Sequence, residues 1–578
     1  MRGLDRFGVV LPVLVFAAHA SVFGTYLIDD AGITFAYARS AAEGAGLVAQ
    51  PGAPPVEGYS NTLWLLVLAA TMRLGAFHLV WTPKLLAGAC VAATYGLAWH
   101  VFRKRGVPPG LRIGVLTLLS LATPYVLWSM SGLENALYGL LALTLAWTCA
   151  RIAEGEGRAA GLAGALASAL VMTRPDGLLF VGVPAVCLAA SAARGGAWRG
   201  PALWYAASAS AGTGGFFAFR WLYFRDVLPN TAHAKGATAL GQAVPSAALV
   251  WVCGLAATLV LGALACRRWP RAARRPLVWA GLVAAAGAAW LAAGYSPEAQ
   301  RLTQALGAAG GLALAALLAD ALRRTATRGW DPVSTALYAT AAAGLAIYVI
   351  LPTDWMPEYR FATPAIVGVH VALGVALAPL ARRVGPRLGA AALALVVGVQ
   401  GGHFAERTRA FTQDPTVPFA TVQAENGLAL NRLADRLGVR GGSVLAPDLG
   451  GTLWASALRV HDLAGLCDRT VARALGADPD RLHAYLFAEL RPTFVVTHSV
   501  WSAAAELDRS ERFRRDYVRL GPSFDALGDG TGGEDGQATG VFVRRDVWER
   551  AQARPATLRS ETLASAGLPR YRGGAAVP

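Results

Sequence analysis

Charge is what this chain has least of. Only 15% of its 578 residues are Asp, Glu, Lys or Arg, against about a quarter in soluble globular proteins. That excludes a water-exposed surface over most of its length. Paired cysteines are lacking too. Of six, Cys90, Cys149, Cys187, Cys253 and Cys266 fall in or beside apolar runs and only Cys467 lies in the C-terminal part, so there is neither a disulfide framework nor a zinc-ligand spacing. No phosphate-binding loop, dinucleotide fingerprint, HExxH or GxSxG appears in a usable context. The Gly-rich "GAAGG" sits inside an apolar run.

What fills the chain instead is apolar. Hydrophobic residues make up 55% and mean hydropathy is +0.42, the composition of a polytopic α-helical membrane protein. The formal net charge of +16 would suggest nucleic acid in a soluble domain. Here the arginines cluster in short loops between apolar runs, as the positive-inside rule describes, and no nucleic-acid partner is expected. The N-terminus has basic residues before an apolar run. No convincing small-residue cleavage site precedes Asp29, so the run is read as a retained first span.

The arginine clusters "FRKRGVPPGLR", "RIAEGEGR", "SAARGGAWRG", "CRRWPRAARRP", "LRRTATRG" and "ARRVGPR" set a register. If they face the cytoplasm, the opposite span ends read "IDDAGIT", "SMSGLEN", "MTRPDG", "FRDVLPNTAHAKG", "GYSPEAQ" and "PTDWMPEYRF". The acidic, Asn-rich and Pro-rich clusters thus fall together outside. "NTLWLLVLAATMRLGAFHLV" would break the register as a crossing and is expected to be a juxtamembrane or re-entrant helix. The remainder gives about 11–13 spans of near-bilayer length. Residues 1–405 are expected to form the membrane domain, with a first outer loop at 28–61. Residues 406–552 are expected to form an extracytoplasmic α/β domain, with strands at "GSVLAP", "TFVVTHS" and "GVFVRRD" and helices at "DRTVARALGA" and "DRLHAYLFAEL". Residues 553–578 carry no core pattern and read as a disordered tail.

The candidate site residues lie in the outer clusters. Asp29 and Asp30 precede a short helical pattern, so helix capping explains one of them. The other suits a general base for a sugar hydroxyl, or a ligand for a divalent cation such as Mg, Mn or Ca. Glu57, Tyr59 and Asn61 in "VEGYSN" offer a carboxylate, a ring and an amide to a sugar; Asn61 also reads as an N-cap. Glu134 fits a first-turn acid or a site residue. Arg174 and Asp176 form a structural pair, or Arg174 binds an anion. Asn230, His233 and Lys235 follow in the next cluster, and Lys235 is a natural partner for a lipid phosphate. Asp354, Trp355 and Arg360 complete the set, Arg360 either snorkelling to the interface or clamping phosphate. Asp448 and Asp462 end probable strands, where clefts form, although turn chemistry explains Asp448 before two glycines.

An enzyme working outside cannot draw on cytoplasmic sugar nucleotides. A lipid-phosphate sugar in the bilayer is the donor that fits, with Lys235, Arg360 and Arg174 for its phosphate, the aspartates as base, and Glu57, Tyr59, Asn61, Glu134, Asp176, Asn230, His233, Asp354 and Trp355 for sugar and acceptor. In order, "DDAGITFAYARSAAEGAGLV…PVEGYSNTLW", "SGLENAL", "TRPDG", "LPNTAHAK", "DWMPEYRFATP" and "PDLGGTLW…VHDLAGLCD" resemble the AftB-type terminal arabinofuranosyltransferases of mycobacteria and relatives, within the GT-C glycosyltransferases. The resemblance implies a GT-C membrane fold in the plasma (inner) membrane and a catalytic aspartate in the first outer loop. It also implies a decaprenyl-phosphoryl-arabinofuranose donor and a cell-wall acceptor, arabinogalactan or lipoarabinomannan. Gly32 and Ala36 stand where a bulky aromatic and a basic residue would be expected. Mannosyl transfer and lipid-linked saccharide transport are the competing readings; transport favours mid-membrane charge and internal repeats, and neither is seen.

Overall fold

The computed structural model describes residues 8–192, 198–239, 332–350, 356–384, 386–520 and 539–553. The tail expected beyond 553, and the spans expected between 240 and 331, lie outside them. The chain divides into two compact units. One draws its described residues from Met1–Thr25, Pro83–Phe216 and Gln242–Gln413, the other from Tyr26–Thr82, Phe217–Gly241 and Asp414–Pro578.

The first unit is a helical bundle. Three helices are long and apolar enough to cross a membrane: Trp81–Lys104, Asn135–Ala153 and Arg360–Ala378. A fourth crossing is available if the bent pair Pro109–Leu121 and Thr123–Met130, 62° apart, counts as one. The bend follows from Pro124, which cannot continue the preceding helix. Beside it, the Thr123 hydroxyl donates to Phe404 O at 2.8 Å, a polar contact of the kind that lets apolar helices tolerate a break. Val10–Val22 and Ala159–Thr173 are apolar but shorter. The described residues thus supply three or four candidate crossings of the 11–13 expected.

The polar ends of these helices segregate within the unit. Lys104 pairs with Glu154 at 3.0 Å, joining the ends of two basic clusters. At the opposite ends, Arg174 pairs with Glu134 at 2.9 Å, and Asn135 Nδ2 donates to Arg360 O at 2.7 Å. "FRKRG" and "RIAEGEG" therefore share one end of the bundle, and "SGLEN", "TRPDG" and "PEYRF" share the other.

The second unit contains a five-stranded mixed sheet, ordered β2-β1-β3-β5-β4. Its strands are β1 (Ser443–Ala446), β2 (Arg459–Asp462), β3 (Phe494–Thr497), β4 (Tyr517–Arg519) and β5 (Gly540–Arg544). β1 runs parallel to β2 and β3, while β5 is antiparallel to β3 and β4. All four residues of β3 are buried, which explains its unbroken apolar run. Leu445, Val495 and Phe542 of three strands pack with Leu486, Phe487 and Phe513 in one core. β4, short and bounded by charge, gave no readable alternation.

The compact units group the segments in their own way. The helical unit ends at 413 rather than 405, and the first outer loop belongs with the α/β unit. Backbone pairing is the reason. Ile28 bridges Pro418, Phe419 N donates to Leu27 O at 2.9 Å, and Asp29 N donates to Val417 O at 3.0 Å. "NTLWLLVLAATMR" forms a helix, Thr62–Arg73, of 12 residues. At 1.5 Å per residue it is about 18 Å long, too short for a hydrocarbon core of about 30 Å, in keeping with the non-crossing reading.

Two glycines set how closely these segments approach. A Cβ on Gly32 would lie 2.4 Å from Phe419 Cε2, and one on Gly450 would lie 1.8 Å from the backbone oxygen of Asp29. Gly32 is therefore glycine for packing, and Ala36, fully buried, has no room for a basic side chain. Gly450→Ala forces backbone from backbone and is expected to cost at least about 1–3 kcal/mol, read as a lowered melting temperature of the full chain in detergent; an unchanged melting temperature contradicts this packing.

Candidate functional site

The first aspartate does not cap its own helix. Ile28 is the N-cap of Asp29–Ala42, with Asp29 and Asp30 in the first turn. The Asp29 carboxylate reaches instead to a second helix, Gly450–Ala455. It accepts Gly450 N–H at 2.8 Å on one oxygen and Gly451 N–H at 2.7 Å on the other. A carboxylate on free helix N–H groups is favourable for both the unsatisfied donors and the helix dipole. Asp29 is buried, at 4% exposure. Burial, with Asp448 nearby, pushes its pKa well above the ordinary carboxylate range, while the two amides oppose the shift. Asp30, next along the turn, is only half-buried.

Asp29 shares its surroundings with groups from the strand edge. Asp448 lies two residues past β1 and His498 directly past β3. His498 Nε2 and Asp448 Oδ2 are 3.3 Å apart. Glu425, on the helical segment Gln423–Ala429, is pushed up to about 7 by burial and by Asp448. One region of the second unit thus holds Asp29, Asp30, Glu425, Asp448 and His498. Glu425 and His498 escaped the sequence reading: "QAENG" looks like an exposed loop, and His498 follows an apolar strand with no motif around it. Among the described residues, no three His, Cys, Asp or Glu side chains are grouped so that they could hold a metal ion. The divalent cation suggested for the Asp29–Asp30 pair finds no ligand set here.

Asp462, the other strand-end aspartate, is structural. Its oxygens accept the amides of Ala464 at 2.7 Å, Gly465 at 2.9 Å and Cys467.

The remaining candidates of the second unit are mostly engaged in holding it together. Glu57, 2% exposed, is ion-paired with the equally buried Arg220 at 3.0 Å. Tyr59 is buried against Tyr37, ring centroids 4.8 Å apart and edge to face. Asn61 occupies the N-cap position of Thr62–Arg73 but makes no side-chain cap bond; its Oδ1 accepts the Thr34 hydroxyl at 3.1 Å. Asn230 Nδ2 donates to the carbonyls of Gly465 at 2.7 Å and Leu466 at 3.0 Å, tying that loop. His233 Nε2 lies 3.0 Å from Asp226 Oδ2. Lys235 is placed on the helix Asn230–Ala239.

In the first unit, Arg174 is buried and shared by Glu134 and Asp176, each at 2.9 Å. Asp176 also accepts the Tyr138 hydroxyl at 3.0 Å. Of the two readings of Arg174, the structural pair is the one its geometry matches: two carboxylates already occupy the guanidinium. Arg360 is buried, with NH1 2.7 Å from Met356 Sδ. It follows Glu358 and Tyr359, both left-handed at φ 57 and φ 51. Arg407 Nε holds the Glu358 carboxylate at 2.9 and 3.0 Å, and Trp128 Nε1 donates to Glu358 O at 2.7 Å; together they fix this strained turn. Asp354 and Trp355 lie outside the described residues. The predicted residues therefore fall into two groups: the aspartate pair with the strand-edge groups in the second unit, and Glu134, Arg174 and Asp176 in the first.

No protein-family model matches the chain, and a search of curated proteins finds no match either.

Two outcomes test this geometry. Asp29→Asn turns one acceptor oxygen into a donor facing an amide N–H and is expected to cost about 1–3 kcal/mol. Asp30→Asn, at a half-buried position, should cost less than Asp29→Asn; equal destabilisation by both would deny Asp29 its clamp. Glu425, with a folded pKa of about 7 above the usual 4.3 or so, holds a proton when folded that the unfolded chain has released. Stability should therefore fall as pH rises from about 4.5 to 7. The melting temperature of wild type relative to Glu425→Gln is expected to decline over that window, and a parallel pair of curves contradicts it.

Proposed function

We propose that the chain is a membrane glycosyltransferase that takes a sugar from a polyprenyl-phosphate carrier, with Asp30 as general base and Asp29 as the residue that positions it. The observation that carries this reading is the division of labour within the aspartate pair. One carboxylate is sunk into the protein and fixed by two backbone amides. Its neighbour, one residue on in the same rigid turn, keeps access to solvent. A base must touch its hydroxyl at about 2.6–3.2 Å, and a carboxylate held on a clamped helix start suits that task.

The step balances as follows. Asp30 takes the proton of an acceptor hydroxyl, the acceptor oxygen forms a bond to the anomeric carbon, and the anomeric carbon–oxygen bond to phosphate breaks. The electron pair leaves with the polyprenyl phosphate. The apolar helices of the first unit suit a donor carried in lipid. Lys235, of the same unit as the aspartate pair, is the basic residue assigned to its phosphate; Arg174 is set aside because Glu134 and Asp176 occupy it.

The sugar and acceptor come from the resemblance to the AftB-type enzymes. On that reading decaprenyl-phosphoryl-arabinofuranose supplies arabinofuranose to the non-reducing ends of arabinogalactan or lipoarabinomannan. The chain is then a multi-pass protein of the plasma membrane with its site and α/β unit outside, and its membrane domain has the GT-C fold.

Transfer from synthetic decaprenyl-phosphoryl-arabinofuranose to an arabinan acceptor, measured on the full chain in detergent, tests this. Asp30→Asn is expected to lower the rate by about 10²–10⁴ while the chain stays folded, as its melting transition shows. A fully active Asp30→Asn protein removes Asp30 as the base.

A further inference from the structure

We infer that the edge of the sheet beyond β1 and β3, marked by Asp448, His498 and Glu425, is a binding crevice for the hydroxyl groups of a neutral saccharide. Its use for the acceptor glycan rests on the transferase reading above; the crevice itself does not.

The position follows from topology. After β1 the chain builds β2 on one side and then crosses to build β3 on the other, both parallel to β1. The order of strands reverses between β1 and β3. In open α/β sheets a ligand crevice forms outside the carboxyl ends of strands at such a reversal. Asp448 and His498 are the residues just past those two ends, and they pair across the gap at 3.3 Å with side chains 20% and 24% exposed. Thr497, the last residue of β3, adds a buried hydroxyl that finds no hydrogen-bond partner among the described residues, an unmet polar group at the same edge.

Asp448 is also the acid here whose structural duty is missing. Turn and cap chemistry would have it accept the amides of the glycines that follow. Asp29 accepts them instead. The other aspartates of this region are used: Asp462 on three amides, Asp468 on the amides of Thr470 and Val471 and on the Tyr485 hydroxyl. Among the described residues, the Asp448 carboxylate has His498 as its partner and no backbone amide.

Charge and geometry then select the ligand class. Asp448 lies close enough to Asp29 and Glu425 to raise the pKa of each, so a phosphate or carboxylate would meet the Asp448 carboxylate here. Metal cations would be attracted, but the described side chains offer no three-ligand group. What is left is a neutral ligand rich in O–H donors: carboxylates accept from hydroxyls, and an imidazole both donates and accepts.

The test uses the full chain in nanodiscs and a short synthetic arabinofuranosyl oligosaccharide without donor. Wild type is expected to bind it, and Asp448→Asn and His498→Ala each to weaken binding about tenfold or more, the size expected for a lost hydrogen bond to a charged group. The same oligosaccharide should protect His498 of the wild-type protein from diethylpyrocarbonate, followed on its peptide by mass spectrometry; this reading stands even if a variant fails to fold. Unchanged binding in both variants, or no protection of His498, overturns the crevice. So does a calcium titration in which the metal alone gives the protection. A wild type that binds the glycan here yet transfers no arabinose retires the transferase reading and leaves the crevice. A wild type that transfers while both variants keep its acceptor KM does the reverse.

Discussion

The second unit depends on one carboxylate. Asp29 gives its two oxygens to the amides of Gly450 and Gly451, and so joins the start of one helix to the start of another more than four hundred residues away. Two helix N-termini facing each other would ordinarily repel, since each carries a partial positive charge. The Asp29 carboxyl between them offsets this by accepting the Gly450 and Gly451 amides. The same contact requires glycine at 450, because the Asp29 backbone occupies the space of a Cβ. It also frees Asp448 from the cap it would otherwise make, and so leaves a carboxylate available at the sheet edge.

The first unit solves a different problem with similar means. Arg174 lies buried among apolar helices, where an unpaired charge is costly. Two carboxylates, Glu134 and Asp176, and the face of Phe361, 4.4 Å from the guanidinium, surround it. That arrangement ties the helix starting at Asn135 to the turn at Pro175. It makes Arg174 a poor anion receptor, because any phosphate would have to displace two acids already hydrogen-bonded to it. The neighbouring turn at Glu358 and Tyr359 has the opposite character. Two successive left-handed residues are costly, and Arg407 and Trp128 hold them in place. The result is that Arg360 is presented from a rigid corner rather than a free loop.

Much of the architecture was readable from residue pattern. The scarcity of charge and the apolar runs gave the helical unit, and the short apolar stretches bounded by turn residues gave β1, β3 and β5. "NTLWLLVLAATMR" was readable as a helix, and at 12 residues it is shorter than the candidate crossings. The grouping of the outer loop with the sheet was not legible, because its attachment is a backbone bridge from Ile28 to Pro418, and backbone pairing over such a distance leaves no side-chain signal. Gly32 and Ala36 looked like departures from a family pattern, and are explained by Phe419 and by complete burial.

The sequence by itself determined which residue types were available and roughly where: paired aspartates after an apolar run, an Arg–Asp pair before a helix, an aspartate ahead of two glycines. These follow from local rules of capping, hydropathy and turn formation, which act over a few residues. Tertiary structure alone decided which carboxylate became structure and which stayed accessible. Capping energy is the same whichever acid supplies it, so only the long-range approach of residues 29 and 450 could assign these amides to Asp29 rather than to Asp448.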